Sequence, residues 1–237
     1  MNLVIDSGNT RIKVATFSND DLKTKLSFQS SDELKSFLKD NHFERALVSS
    51  VSAPTDPFFK MIDSKKKYAL TYQLPLPINV LYKTPNTLGV DRIAAVCGAM
   101  AMFQANDCLV IDAGTCITYD FLDRYKNYHG GAISPGINMR FEAMHEFTQR
   151  LPLVSAAPEK LIGDSTESSM RSGVMNGVLN EVQGFIDSYR VKYPDLRVVL
   201  CGGDTAFFEN NLKPTIFAAP DLVLSGLNRI LNYNAAL

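Results

Sequence analysis

Two short apolar runs stand out in the pattern of hydrophobic and polar positions because they share one sequence. Leu-Val-Ile occupies residues 3–5 and again residues 109–111, and an aspartate, Asp6 or Asp112, ends each run. Short apolar runs of this kind are typical of strands that are covered on both faces of a sheet. The pattern therefore predicts two equivalent buried strands, each ending with a carboxylate at the edge of its sheet.

A glycine turn follows each predicted strand. Gly8 and Thr10 lie in the first turn, and Gly114 and Thr115 lie in the second. Glycine has no side chain to keep a phosphate away from the backbone, and the threonine hydroxyl and exposed N–H groups can donate hydrogen bonds. One such turn alone would more often be an ordinary Asx or glycine turn. Its repetition favours a pair of phosphate sites.

A second strand is predicted after each turn, at residues 11–17 and 117–122, where apolar and polar residues partly alternate. Each copy is thus a hairpin, and two hairpins from the two halves of the chain can hold a polyphosphate between them. Asp6 and Asp112 would bind its divalent cation through oxygen ligands. The repeated hairpin predicts a nucleotide clamp.

The rest of the first half alternates between strand and helix patterns, which is typical of an α/β layer. We expect the lysines at residues 65–67 to form a solvated turn, and the small residues of the last helix to allow close packing. The predicted elements are a strand near residues 25–29, a helix that begins at Ser31/Asp32, a strand at 45–51, a helix at 57–63, a strand at 68–74 and a helix at about 88–104.

The second half continues with a glycine-rich segment, residues 130–136, in which we expect backbone flexibility. Helices are predicted at about residues 139–148 and 164–193, followed by a strand at 197–201 that enters Gly202 and Gly203. This glycine pair would let a flat nucleoside lie on bare backbone, although a strand-to-helix turn also needs glycine for steric reasons alone. We expect two domains, residues 1–106 and 107–237.

Composition excludes several classes of function. A chain of 237 residues with 46% hydrophobic residues can bury a substantial core, and its net charge of −1 gives no broad attraction for nucleic acid or a membrane surface. The apolar run at residues 93–103 is too short to cross a bilayer. The four cysteines form no C-x-x-C pair and the three histidines show no ligand spacing, so we expect reduced thiols, no zinc site and a cytoplasmic protein.

The order of the motifs resembles the type III pantothenate kinase family, a branch of the actin-like acetate and sugar kinase superfamily that includes the Bvg accessory factor proteins. The resemblance implies an α/β fold of two duplicated actin-like, ribonuclease H-like subdomains, with mixed sheets flanked by helices and a cleft between them. The motifs that carry it lie, in order, at residues 6–10, 89–92, 112–115 and 130–136, at Thr166, and at residues 202–203. Val90 and Cys116 depart modestly from the family pattern, which has alanine at both.

The family activity is ATP-dependent phosphorylation of pantothenate to 4'-phosphopantothenate, the first step of coenzyme A biosynthesis. The resemblance implies that Thr115 contacts ATP beside the glycines Gly202 and Gly203, that Mg²⁺ accompanies the nucleotide, and that Asp112 helps to hold a monovalent cation, K⁺ or NH₄⁺. It assigns the first phosphate loop to Asp6, Ser7, Gly8, Asn9, Thr10, Arg11, Ile12 and Lys13.

The resemblance also implies a substrate site and makes Asp91 the general base. It implies a homodimer in which Thr166 reaches the pocket of the partner subunit. The guanidinium of Arg92 could grip the carboxylate of pantothenate. From the residues alone, the helix dipole accounts for Asp91 and a surface position accounts for Arg92 better than a role in catalysis does. The implied substrate residues are Tyr82, Gly89, Val90, Asp91, Arg92 and Thr166.

Two other functions remain open at this stage. The phosphate hairpins do not specify the acceptor, so another actin-like small-molecule kinase that acts on a sugar or a short acid is one alternative. A noncatalytic, nucleotide-binding regulatory paralogue is the other, although intact Asp6, Asp91, Arg92 and Asp112 count against it. The apolar stripe of the helix at 164–193 is explained either by the core or by a dimer contact.

Overall fold

The structure is a computed structural model that describes residues 1–8, 10–51, 54–212 and 216–237. Asn9 of the predicted first phosphate loop lies outside the described residues. The chain forms two compact units. The first unit contains Met1–Ala105, Leu122–His129 and Asp221–Leu237, and the second contains Asn106–Phe121 and Gly130–Pro220. Within the described residues, no helix is long and apolar enough to cross a membrane.

A five-stranded mixed sheet forms the centre of the first unit, with strand order β3-β2-β1-β4-β5. The first three strands are antiparallel neighbours, whereas β4 and β5 run parallel to β1. The predicted first hairpin is confirmed, with Asp6 opposite Lys13 across β1 and β2. The strands are β1 (Asn2–Ser7), β2 (Ile12–Ser18), β3 (Asp21–Phe28), β4 (His42–Ser50) and β5 (Asp63–Ala69).

Two groups of helices accompany this sheet. Buried residues of α1 (Ser31–Lys39) and the adjoining Phe58 of α2 (Asp56–Met61) share a core with apolar residues of β1 and β4. The helices α3 (Val90–Met102) and α7 (Leu222–Ala235) pack against each other and against strands of the same sheet. A short 3₁₀ helix, Pro85–Thr87, precedes α3.

The contact between α3 and α7 depends on two glycines. A Cβ atom at Gly226 would lie 1.8 Å from the carbonyl oxygen of Ala94, and one at Gly98 would lie 2.5 Å from the carbonyl oxygen of Leu222. No larger residue fits at this separation of the two backbones, so the small residues predicted to allow close packing of α3 do so against α7. The predicted domain boundary after residue 106 puts α7 in the second domain. In the structure, its contact with α3 makes α7 part of the first unit.

The second unit is built on strands β11-β10-β7-β8-β9, which are neighbours in that order. Strand β10 runs parallel to β7 and pairs Cys201 with Asp112. The buried face of the long helix α5 shares one core with β7, β8 and β10. The elements are β7 (Cys108–Ala113), β8 (Cys116–Leu122), β9 (Asn127–Pro135), α4 (Ile137–Glu146), α5 (Thr166–Lys192), β10 (Arg197–Cys201), α6 (Thr205–Asn211) and β11 (Ile216–Ala218).

Three local predictions are wrong. The lysines at residues 65–67 lie in strand β5 rather than in a turn, and the strand predicted at 68–74 ends at Ala69. Strand β5 is at the edge of its sheet, where lysine side chains can extend into solvent. The glycine-rich segment lies largely in strand β9, where a Cβ atom at Gly131 would lie 1.6 Å from the carbonyl oxygen of Tyr119. These glycines permit close strand contact instead of forming a flexible loop.

The turn between β8 and β9 belongs to the first unit, where it pairs with the two-residue strand β6 (Asn79–Val80). The backbone N–H of Asn79 donates to the carbonyl of Lys126, and that of Leu81 donates to Tyr128. The Asp123 carboxylate holds the turn closed by accepting hydrogen bonds from the backbone N–H groups of Tyr125 and Asn127. This turn therefore fixes the segment that leads to Tyr82.

Candidate functional site

Asp6 ends the central strand of the first unit and is buried, with an exposed fraction of 8%. Burial raises the pKa of its carboxyl group to about 6, and the nearby carboxylate of Asp91 acts in the same direction. Lys13 and Ser49 oppose that increase in pKa. The fold thus brings together two acidic side chains that are far apart in sequence, and a cation would stabilise both.

In the first phosphate turn, the N–H of Gly8 donates to the carbonyl of Arg11 at 3.1 Å. Among the described residues, a Cβ atom at Gly8 would have one neighbour within 4 Å, that same oxygen at 3.5 Å. Thr10, Arg11 and Lys13 are exposed. Their hydroxyl, guanidinium and ammonium groups are donors that an anion at this turn could use.

The N-terminus of α3 presents Asp91 and Arg92. Gly89 is the N-cap residue, and the Oδ1 atom of Asp91 accepts a hydrogen bond from the backbone N–H of Arg92 at 2.8 Å. A Cβ atom at Gly89 would lie 2.5 Å from that Oδ1 atom, so a larger residue would displace the carboxylate. Val90 is the first residue of the helix.

Arg92 is buried, with an exposed fraction of 7%, and is not the surface charge that its sequence position alone allows. Its guanidinium carbon lies 5.8 Å from the centre of the Tyr82 ring. Tyr82 in turn stacks on Tyr128, with ring centres 6.4 Å apart and ring planes within 5° of parallel. A cation over an aromatic face is attracted electrostatically, so the stack orients the guanidinium.

Tyr128 was not identified from the sequence. It lies at the start of β9, and the turn stabilised by Asp123 brings it back to β6 and the segment that contains Tyr82. The feature that brings Tyr128 to Tyr82 is the pairing of β6 with β9, between residues almost fifty positions apart. No local motif indicates this pairing. The prediction that Tyr82 and Arg92 share a site is supported by their contact, while their binding of substrate stays a prediction.

The second phosphate turn lies between β7 and β8. The N–H of Gly114 donates to the carbonyl of Cys116 at 3.0 Å, and Thr115 is exposed at the tip. The N–H of Gly136 donates to the carbonyl of Thr115 at 3.0 Å, and a Cβ atom at Gly136 would lie 2.1 Å from the carbonyl oxygen of Gly114. The end of β9 therefore lies directly against the turn.

Gly202 completes this side of the second unit. It has a φ angle of +97°, and a Cβ atom there would lie 2.5 Å from the Oδ1 atom of Asp112 and 2.2 Å from the carbonyl oxygen of Ala113. A Cβ atom at Gly203 would have no neighbour within 4 Å among the residues that the structure describes. The β10–α6 turn thus contacts the Asp112 carboxylate at one glycine and leaves bare backbone at the next, as a flat nucleoside would need.

Thr166 is the first residue of α5 and is exposed. The preceding Ser165 caps the helix by accepting a hydrogen bond from the backbone N–H of Ser168. Thr166 belongs to the second unit, whereas Tyr82 and Arg92 belong to the first. Its contact with substrate across a dimer stays a prediction.

The described part of the chain contains no group of three or more His, Cys, Asp or Glu side chains that could hold a metal ion. Mg²⁺ at a nucleotide site needs fewer protein ligands, because one or two carboxylates and the phosphates of the substrate complete its coordination. Asp6 in the first unit and Asp112 in the second each lie near the end of a strand beside a phosphate turn, so either carboxylate could supply one such ligand.

Comparisons with known proteins agree on one family. A model of the type III pantothenate kinase family matches residues 2–188. A Bacteroides fragilis protein named type III pantothenate kinase is 46% identical over 241 residues, which cover 99% of this chain and 98% of that protein. A Christiangramia forsetii protein of the same name is 45% identical over 242 residues and covers 99% of each chain.

A solved structure provides a further comparison of the fold. A Campylobacter jejuni protein assigned to the Baf family of transcriptional activators aligns with a TM-score of 0.66 and 21% identity, over 99% of this chain and 100% of that chain. Other structural neighbours include an inorganic polyphosphate/ATP-glucomannokinase from Arthrobacter and a ROK family glucokinase from Streptomyces griseus, each with a TM-score of 0.52. The predicted α/β class, with mixed sheets flanked by helices, is confirmed.

Proposed function

We propose a mechanism for the phosphorylation of pantothenate by this chain. The chain belongs to the type III pantothenate kinase family and phosphorylates pantothenate in coenzyme A biosynthesis. Asp91 is the general base, and Arg92 binds the carboxylate of pantothenate. The observation that carries this proposal is the start of α3, where the Asp91 carboxylate lies beside Asp6 and the next residue is a buried arginine. An acid and a fixed cation at adjacent positions suit a substrate with a hydroxyl group at one end and a carboxylate at the other.

ATP is the phosphoryl donor. Gly8, Thr10 and Lys13 provide backbone and side-chain donors for phosphate in the first unit, and Gly114 and Thr115 provide them in the second. The φ angle of Gly202 and the open backbone at Gly203 support a nucleoside site beside the second turn. We extend the same binding role to the rest of the first phosphate loop, Ser7, Asn9, Arg11 and Ile12.

Cations neutralise the charge that the phosphates bring. Asp6 and Asp112 are the residues that would hold Mg²⁺ with the nucleotide, and Asp112 would also help to hold K⁺ or NH₄⁺. Burial raises the pKa of Asp6, so its charged form is costly until a cation neutralises it. The metal supplies charge stabilisation for the loose transition state of phosphoryl transfer.

Asp91 accepts the proton of the pantothenate hydroxyl. The oxygen of that hydroxyl forms a bond to the γ-phosphorus, and the bond from that phosphorus to the bridging oxygen of ADP breaks. The carboxylate is fixed for this role by its hydrogen bond from the Arg92 N–H and by the space that Gly89 leaves. Arg92 is fixed by the Tyr82–Tyr128 stack. General-base catalysis of this kind contributes about 10²–10⁴-fold to rate.

The chain acts as a homodimer in this proposal, with Thr166 of one protomer reaching the pantothenate pocket of its partner. Its place of action is the cytoplasm. All four cysteines are free, as is usual for proteins of a reducing compartment. Sedimentation over a range of protein concentrations tests the dimer, because a concentration-independent monomer would contradict it.

The central experiment compares pantothenate phosphorylation by the parent protein, Asp91→Asn and Asp32→Asn, with Mg-ATP in potassium or sodium. Asp32 is the matched control because it is also an acidic residue in the first turn of a helix. We expect a loss of at least about 10²-fold in kcat for Asp91→Asn and none for Asp32→Asn. Activity of Asp91→Asn within about threefold of the parent would remove the base assignment. Turnover of another alcohol in place of pantothenate would identify a different acceptor.

A further inference from the structure

One carboxylate in the second unit connects three other elements. Glu181 lies on α5, and its Oε1 atom accepts hydrogen bonds from the Tyr119 hydroxyl of β8 at 2.9 Å and the Ser134 hydroxyl of β9 at 2.6 Å. Its Oε2 atom accepts one from Nη2 of Arg140 on α4 at 2.6 Å. Motif and family comparison assign no role to this group, which we call the Glu181 cluster: Tyr119, Ser134, Arg140 and Glu181.

The Glu181 cluster is connected to the second phosphate turn through the end of β9. Arg140 also donates from Nε to the carbonyl of Pro135 at 2.9 Å. Pro135 immediately precedes Gly136, whose N–H donates to the carbonyl of Thr115. Because Gly136 lies in direct backbone contact with Gly114 and Thr115, a displacement of the β9–α4 corner must displace the turn.

The charge on Glu181 is maintained by its partners. Burial acts to raise the pKa of the carboxyl group, but hydrogen bonds from Ser134, Arg140 and Tyr119 and the charge of Arg140 outweigh it and lower the pKa. The Tyr119 hydroxyl has a raised pKa because of burial and the adjacent carboxylate, so it stays protonated as a donor. The cluster is an anchor of charge-assisted hydrogen bonds, which are stronger than neutral ones.

We propose that Glu181 is a positioning residue for the nucleotide phosphates. It holds Ser134 and Arg140, and through them the corner at Pro135 and Gly136, so that the N–H groups and hydroxyl of the Gly114–Thr115 turn face the phosphates in a fixed arrangement. Glu181 itself does not touch the nucleotide. This proposal rests on the proposed function in one respect, the assignment of the Gly114–Thr115 turn as an ATP site.

The test measures ATP binding and catalysis separately in Glu181→Gln, Arg140→Met and Ser134→Ala, with Asp187→Asn as the matched control. Asp187 is an exposed acidic residue on the same helix. For Glu181→Gln we expect the KM for ATP to rise about tenfold or more, with the KM for pantothenate within twofold of the parent. Hydrogen exchange of the backbone at residues 113–116 should accelerate, and the control should change none of these quantities.

A double variant distinguishes positioning from general loss of structure. If Glu181 and Arg140 act through one network, Glu181→Gln combined with Arg140→Met should raise the KM for ATP no more than the worse single variant. Additive effects would overturn the proposal, as would equal increases in both KM values or unchanged exchange at the turn. Ser134→Ala removes one hydrogen-bond donor and keeps the Glu181–Arg140 ion pair. It therefore tests the network with a smaller perturbation, in a protein that folds.

Binding of a fluorescent ATP analogue separates failure of this proposal from failure of the proposed function. If the parent binds the analogue but does not phosphorylate pantothenate, the acceptor assignment fails, and the Glu181 comparison can still be made on the dissociation constant. If the parent phosphorylates pantothenate and Glu181→Gln binds the analogue as tightly as the parent does, only the positioning role is refuted.

Discussion

The contact between α3 and α7 allows a quantitative prediction for Gly226→Ala. The new methyl carbon would lie 1.8 Å from the carbonyl oxygen of Ala94 and 2.9 Å from the backbone nitrogen of Gly98, whereas ordinary contacts begin near 3.4 Å. Both obstructing atoms belong to backbone, so α7 must move away from α3 by more than 1 Å. Such overpacking costs about 1–3 kcal/mol, and here we expect the upper end.

Alanine also improves helix propensity by about 1 kcal/mol, so we expect a net loss of about 2 kcal/mol in the free energy of unfolding. Gly184→Ala in α5 is the matched control, because within the described residues its new Cβ would meet no atom within 4 Å outside the backbone of its own helix, and the same propensity gain should stabilise the protein. Urea denaturation followed by circular dichroism measures both. Equal stability of the two variants would refute the close packing of α3 against α7.

This substitution should also affect catalysis, because the first turn of α3 carries Asp91 and Arg92. A displacement of about 1 Å at a positioning element can reduce rate by about 10²-fold. We expect kcat/KM for pantothenate to fall by at least tenfold in Gly226→Ala under conditions where the protein is fully folded. Full activity in a destabilised variant would mean that α3 keeps its position and that only α7 moves.

Three further predictions concern the first unit. Arg92→Lys should raise the KM for pantothenate about tenfold with a smaller change in kcat, because an ammonium cannot form two parallel bonds to a carboxylate; steady-state kinetics tests this. Tyr128→Leu removes the ring that stacks on Tyr82 and should raise the same KM by about two- to tenfold, whereas an unchanged value would exclude the stack from substrate binding. Burial acts to raise the pKa of Asp123, but hydrogen bonds from His129 and neighbouring groups lower it overall, so its stabilising effect is present above pH 4 and lost as the pH falls further. Asp123→Asn should therefore be less stable than the parent at pH 7, with the gap closing below about pH 4 in thermal unfolding, and a constant gap would contradict the role of its charge.

The hairpins were predictable because every signal that defines them is local. An apolar run, an aspartate and a glycine turn lie within eight residues in each copy, and the structure places Asp6 opposite Lys13 as a hairpin requires. The start of α3 was predictable for the same reason. The burial of Arg92 in the first turn of α3 was not predictable, because it depends on Tyr82 and on the turn before β9.

The features that sequence reasoning missed depend on residues far apart in the chain. Nothing near Glu181 indicates that it accepts hydrogen bonds from β8, β9 and α4, since each partner is more than 40 positions away. The lysines of β5 were assigned to a turn because their polarity suits one, but an edge strand tolerates the same polarity. Local pattern predicts the element, whereas its neighbours in space decide what the element does.

The placement of α7 has a consequence for how the protein forms during synthesis. More than 100 residues separate Ala105 from Asp221, and the whole main segment of the second unit is made between them. At about 5–20 residues per second, α3 leaves the ribosome several seconds before its partner helix exists. The surface of α3 around Gly98 therefore stays without its partner helix while the second unit can already fold. The helix whose first turn carries Asp91 and Arg92 is fully supported only when translation of α7 is finished.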